Sequence, residues 1–152
     1  MTQIWKPHVT VAAVIEQDGR FLMVEESVER GKLFNQPAGH LEGGESIIDA
    51  AIREVREETA WRFQPTALVA VQLWRKNPEA PSFVRFCFTG EVHDHDAAQA
   101  LDLDIIATHW LTLAQIRART TQLRSALVLK SIESYLNGDR YPLSVVQNFL
   151  DQ

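Results

Sequence analysis

Glu54, Glu57 and Glu58 stand at i, i+3 and i+4, a spacing that gathers three carboxylates on one side of a helix. Two unit charges about 6 Å apart repel by roughly 3 kcal/mol at an effective dielectric near 20. On an exposed helix, water, salt, Arg53 and Arg56 would screen that repulsion. At the rim of a core the cluster needs protons, a basic side chain or a hard divalent cation. Oxygen donors without Cys or His favour Mg²⁺ or Mn²⁺ over Zn²⁺. Mg²⁺ uses few protein carboxylates and leaves positions open for substrate phosphates. Such an ion is one reading of the cluster, and a solvated helix face screened by water and arginine is the other.

The elements that must position this cluster are legible around it. Residues 39–45 form a Gly-rich turn. Ser46 then precedes an apolar run and has Asp49 three residues on, the signature of a helix N-cap with a capping-box partner. At about 100° per residue, Ile48, Ala51, Ile52, Val55 and Thr59 share one face, and the acidic trio flanks it.

The whole stretch, GHLEGGESIIDAAIREVREETAW at 39–61, resembles the Nudix box, G-x5-E-x7-R-E-U-x-E-E-x-G-U, where U is a bulky apolar residue. Gly39, Glu45, Arg53, Glu54, Val55, Glu57 and Glu58 fall on its fixed positions, and Trp61 fills the last apolar one. Ala60 stands where the box has its second Gly. A left-handed residue there with a Cβ costs roughly 1–2 kcal/mol, so the exit from the helix is open.

The resemblance implies an α/β fold, the Nudix α/β/α sandwich with a central mixed sheet and a loop-helix motif. It implies hydrolysis of a diphosphate linked to another group, with Mg²⁺ (or Mn²⁺) held by the box. Carried over position by position, Glu54, Glu57 and Glu58 are the metal-ligand candidates, and the carbonyl of Ala38 is a further one. Arg53 completes the catalytic set by orienting a carboxylate. Glu54 is also a candidate for activating water, and Glu45 braces the loop. KPHVTVA at 6–12, FNQPAGHLE at 34–42, LRSALV at 123–128 and GDRYPL at 138–143 resemble segments of a bacterial phosphatase subgroup of the family. That subgroup implies release of phosphate from nucleoside tri- and diphosphates and from thiamine-type pyrophosphates. The alternatives are a nucleoside diphosphate-sugar or oxidised-nucleotide pyrophosphatase, and a binding module of the same fold that does not cleave.

Beyond the box, Arg85 and Arg124 are candidates for phosphate contact, as are Lys32, Arg75 and Lys76, because guanidinium suits bidentate anion recognition. Arg85 lies within the apolar run FVRFCF and needs a partner if buried. Phe34 is a substrate-binding candidate as a stacking surface, together with Trp74 and Phe83. His93 and His95 with Asp94 and Asp96 read as an exposed acidic loop rather than a metal site. His40, inside the box turn, approaches the substrate end without a role fixed by spacing.

The chain has 152 residues, 45% apolar and 23% charged, which fits a single Nudix hydrolase domain over 1–152. The net charge of −5 without a basic arm argues against nucleic-acid polymers and anionic membranes. The expected partner is a small-molecule pyrophosphate, and the expected assembly is a monomer or homodimer. Cys87, the one cysteine, reads as a packed strand residue. MTQIWKPH lacks the apolar segment of a signal peptide, so the expected location is cytoplasmic.

In chain order, strands are expected at 8–17 and 20–26 around an Asp18-Gly19 turn, followed by a polar connection at 27–32. Further strands are expected at 67–74, 82–91 and 105–111. A polar loop spans 93–104. Helices are expected at 113–119 and 125–136 and a last turn at 144–150.

Overall fold

The structure, a computed structural model, describes residues 2–152. A mixed four-stranded sheet carries the site. Its order is β5 (Ala38–His40), β1 (His8–Val14), β7 (Ser82–His93) and β6 (Arg62–Arg75). β1 runs parallel to β7, and the other two pairings are antiparallel. β1 is apolar without alternation because both its faces are covered: Val11, Ala12, Ala13 and Val14 are all buried. A second, antiparallel four-stranded sheet is built on β3 (Arg20–Val28), which pairs with β2 (Glu16–Gln17), β4 (Gly31–Asn35) and β8 (Ile105–Leu111).

Helices lie on opposite faces of the mixed sheet. On one, Ala51 and Val55 of α1 (Ile47–Thr59) pack with Val11, Ala13 and Phe88. On the other, Val128 and Ile132 of α3 (Leu127–Leu136) pack with Ala12, Val14 and Cys87, alongside Ile116 of α2 (Leu113–Arg117). The expected sandwich is therefore present, with the antiparallel sheet added to it.

Several boundaries differ from the sequence reading. The polar connection at 27–32 is a tight hairpin, since β3 runs to Val28 and β4 starts at Gly31. β6 begins at Arg62, straight after α1, and tolerates Pro65 because it is an edge strand with a register shift at that residue. α3 starts at Leu127, and the terminal helical turn is a single 3₁₀ turn at Leu143–Val145. Asp18 and Gly19 both take positive φ, 52° and 76°, as a two-residue hairpin turn requires.

Candidate active site

The helix that carries the acidic residues begins at the expected N-cap, but among the described residues Asp49 does not return the bond that would complete a capping box. Ser46 is the N-cap, and its hydroxyl accepts from the Asp49 backbone N–H at 3.0 Å. It ends on Ala60 at φ 62°, ψ 13°, the left-handed conformation that the box glycine would take. Ala60 therefore bears a cost of roughly 1–2 kcal/mol that glycine avoids.

Arg53 organises the turn before this helix. Its Nη2 and Nε donate to the two carboxylate oxygens of Glu45 at 2.7 and 2.9 Å, a bidentate pair. Its Nη1 donates to Glu54 Oε1 at 2.9 Å and Glu57 Oε2 at 3.0 Å, and Nη2 also reaches the His40 carbonyl at 3.0 Å. Glu45 accepts from the Glu42 N–H at 2.9 Å, so it braces the loop as expected. The Arg53 hydrogen bond holds the Glu45 carboxyl below its ordinary range.

The edge strand β5 takes in Gly39 and His40, which the sequence reading gives to the Gly-rich turn, and it supplies backbone groups. Ala13 N–H donates to the Pro37 carbonyl and Leu41 N–H to the Val9 carbonyl, each at 3.0 Å. With Ala12 opposite Ala38, that register makes Ala38 a non-hydrogen-bonded position, whose N–H and C=O turn away from β1. The Ala38 N–H reaches Glu58 Oε1 at 2.8 Å. Gly39 lies under the Glu54 carboxyl: a Cβ there would occupy the space of that group.

Burial dominates the electrostatics. Desolvation pushes Glu58 up to about 9 and Glu54 up to about 7; the Ala38 bond and Arg53 respectively oppose this only in part. Glu54, Glu57 and Asp102 each present an oxygen within 4.8 Å of the others. Glu58 stands outside that trio but feels Glu54, Asp102 and Glu26 as like charges. Among the described residues, one guanidinium, already shared with Glu45, is all the positive charge that touches Glu54 and Glu57. Glu54 and Glu58 are buried, Glu57 is half-buried and Asp102 is exposed; short of counter-charge and offering only oxygen donors beside a glycine-cleared seat, the group fits a hard divalent cation such as Mg²⁺ or Mn²⁺.

Asp102 is a residue that the sequence did not single out. It lies in the 94–104 loop, which is pinned onto α1 by Asp102 N–H to the Glu57 carbonyl and Asp96 N–H to the Ala60 carbonyl, both at 3.0 Å. No local periodicity signals this, because the contact is set by where the loop lands. His93 and Asp94 pair with each other at 2.9 Å in the open. Among the described residues they join no metal-competent group.

A cleft of about 780 Å³ opens beside Glu58, Gly39 and Asp102. Arg85, Arg124 and Lys76 line it, whereas Lys32 and Arg75 do not. Arg124 pairs with Glu26 at 3.3 Å, and Glu26, raised mainly by burial, is another residue that sequence reading passed over. Arg85 is only 5% exposed; its Nη2 donates to Gln36 Oε1 at 2.6 Å, and its buried Nε has no acceptor among the described residues. Leaving a charge so buried and unpaired costs several kcal/mol. Phe34 does not line the cleft. It is 8% exposed, packs in the α3-side core, and carries the Arg119 guanidinium over its ring at 5.4 Å. The cleft aromatics are Trp74 and Phe83, with ring centroids 6.0 Å apart.

The comparisons with known proteins agree with this geometry. The Nudix domain model matches residues 6–131. Phosphatase NudJ of Escherichia coli K12 and that of Shigella sonnei are each 41% identical over 146 residues, spanning 96% of this chain and 94% of theirs. A solved Nudix hydrolase from Nitrosomonas europaea superposes with a TM-score of 0.92 at 45% identity, covering 97% of this chain and 100% of its own. No helix among the described residues is long and apolar enough to cross a membrane. With the arginine-braced turn, the acidic helix it leads into and these matches all in agreement, the chain belongs to the Nudix hydrolase family.

Proposed function

We propose that this Nudix hydrolase is a Mg²⁺-dependent phosphohydrolase, active also with Mn²⁺. In this reading it releases phosphate from nucleoside tri- and diphosphates and from thiamine-type pyrophosphates. The observation that carries the reading is the convergence of Glu54, Glu57 and Asp102 within 4.8 Å, next to a buried Glu58, at one end of a cleft with basic and aromatic lining. The 41% identity to phosphatases over nearly the whole chain supports the choice of phosphate release over other cleavages.

Glu54, Glu57, Glu58 and the Ala38 carbonyl are the proposed metal ligands, with Asp102 added by the geometry. A divalent cation there would neutralise charge that develops on phosphate oxygens. Arg53 is a positioning residue: it fixes the rotamers of Glu54 and Glu57 through one nitrogen. Arg53 occupies Glu54 Oε1, and we assign the other oxygen of Glu54 to accept the proton of the attacking water. Arg85 and Arg124 are the proposed anion contacts, while Phe34 acts from beneath by supporting the wall: its carbonyl accepts from the Arg124 N–H at 2.9 Å.

A panel of nucleotides and thiamine phosphates, assayed in Mg²⁺ with product identification, tests this. Orthophosphate from the terminal position is expected. Two phosphorylated halves, or inorganic pyrophosphate, would contradict the proposed cleavage.

A further inference from the structure

The cross-strand register turns one face of the mixed sheet into an ordered floor for the cleft. On it, Ala38, Ala12 and Cys87 form one row, the last two buried under α3, then come His40, Thr10 and Arg85, and His8, Phe83 and Trp74 make the row at the rim; Ala38, His40, Thr10, Arg85, Phe83 and Trp74 line the cleft itself. Arg85 thus lies between the aromatic rim and the row that begins at the proposed metal end. Ala38 and Arg85 are two strands and one two-residue step apart, about 12 Å between backbones. The Arg85 side chain and a diphosphate together span that gap.

Two cleft arginines differ in how their charge is met. The Arg124 guanidinium has the Glu26 carboxylate at 3.3 Å and is half-exposed. Arg85 is buried, forms no ion pair within 4.0 Å among the described residues, and has a neutral amide as its partner. Glu26 is the acidic group that faces it from β3, beyond ion-pair distance, and Cys87 flanks it on its own strand. The amide is itself locked: Gln36 Nε2 donates to the Val128 carbonyl at 2.7 Å, which leaves Gln36 Oε1 aimed at Arg85. A rigidly held, unneutralised guanidinium with an unmatched N–H is the arrangement of an anion receptor awaiting its anion.

Resting on the phosphohydrolase reading above, we propose that Arg85, set by Gln36, is a phosphate subsite separate from the metal-binding carboxylates. It holds the ring-proximal phosphate of a diphosphate whose aromatic ring lies on Phe83 and Trp74. The carboxylate end then faces the terminal phosphate. In hydrolysis the water oxygen bonds to the terminal phosphorus and the bridging P–O bond breaks. The ring-side phosphate keeps the bridging oxygen, and the water proton goes to Glu54. The aromatic monophosphate product remains on Arg85, so the substrate class is a ring-bearing alcohol diphosphate, and product binding does not need the metal.

The test is calorimetric titration of the intact protein with phenyl phosphate and with inorganic phosphate in excess chelator. Saturable binding of phenyl phosphate is expected, several-fold tighter than inorganic phosphate. Arg85→Met should weaken it at least tenfold and Arg85→Lys at least threefold, because an ammonium lacks the fork. Arg75→Ala, on a neighbouring strand end outside the cleft, should leave it within twofold. Thermal melts establish folding, and Arg85→Lys decides the matter if Arg85→Met does not fold. Wild-type protein that fails to bind without metal, or an Arg85→Lys affinity equal to wild type, overturns the proposal. Arg85-dependent binding without any diphosphate hydrolysis in Mg²⁺ would sink the phosphohydrolase reading and leave this subsite standing.

Discussion

The carboxyl group of Glu54 rests against the Cα of Gly39, in the volume that any β-carbon at residue 39 would claim. The first glycine of the box is therefore a seat for the Glu54 carboxylate, independent of any turn it allows. Gly39→Ala should displace that group while the core, which does not involve residue 39, stays intact. A displacement on the order of 1 Å costs about 10²-fold in rate. Steady-state kinetics beside a thermal melt would show this; a Gly39→Ala enzyme with wild-type kcat would refute it.

Arg53 touches Glu45, Glu54, Glu57 and the His40 carbonyl at once. Arg53→Lys keeps the charge and loses the fork. We expect a fall in Mn²⁺ affinity of about 10–100-fold, the usual effect of removing an outer hydrogen-bonding partner. Titration followed by the electron paramagnetic resonance of free Mn²⁺ measures it, and unchanged affinity would remove Arg53 from the positioning role.

Asp102 reaches the helix through the backbone bond of its N–H to Glu57. Asp102→Asn preserves that bond and removes one charge from the trio. Mn²⁺ binding should weaken about tenfold with the melting temperature nearly unchanged. Affinity equal to wild type would exclude Asp102 from the metal's surroundings.

Burial raises Glu58 from 4.5 to about 9 and Glu54 from 4.5 to about 7 in the metal-free protein. Both bind a proton more tightly folded than unfolded. Their stabilising contribution is whole below pH 4.5 and drains away as pH rises through about 7 and then about 9. With chelator present, the melting temperature should fall between pH 6 and 9, and Glu58→Gln should flatten the upper part of that slope. Divalent metal should release protons on binding near pH 8, read as a buffer-dependent enthalpy. A melting temperature that climbs over that range would contradict these assignments.

Ala60 holds φ 62° while its methyl is buried. Ala60→Gly relieves a left-handed strain of roughly 1–2 kcal/mol and forfeits about 0.8 kcal/mol of methyl burial. A net gain of about 1 kcal/mol or less is expected in denaturant unfolding, with activity retained. A loss above about 1 kcal/mol would mean that the exit is shaped by the methyl rather than strained by it.

The box helix, its Ser46 cap and the acidic face were legible because each rests on contacts within one turn. The strand at 105–111 was legible for a similar reason, as its run is bounded by an acidic loop and by the Thr112 cap. What stayed hidden depends on contacts far along the chain. Asp102 gains its place only when the 94–104 loop docks on α1. Glu26 looks like a solvent residue at a strand end until Arg124 arrives from beyond β8. Phe34 reads as a stacking surface from its aromatic ring, as Trp74 and Phe83 do, but the bridge to Leu123 and the Arg119 guanidinium fold it inward. The start of β6 was obscured by Pro65, which only an edge strand admits. Arg85 was flagged by an apolar run that would bury it, and the structure supplies what the run does not: Gln36 as partner and an Nε without one.

The most direct measurement is orthophosphate release from a nucleoside diphosphate by one protein sample, followed through chelation and Mg²⁺ add-back, with Glu58→Gln in parallel. The expected trace drops to background on chelation and recovers with Mg²⁺ for the native protein, while folded Glu58→Gln stays at least 10²-fold slower throughout. Undiminished release in chelator, or full activity in folded Glu58→Gln, would show that the acidic helix does not hold the metal on which this hydrolysis depends.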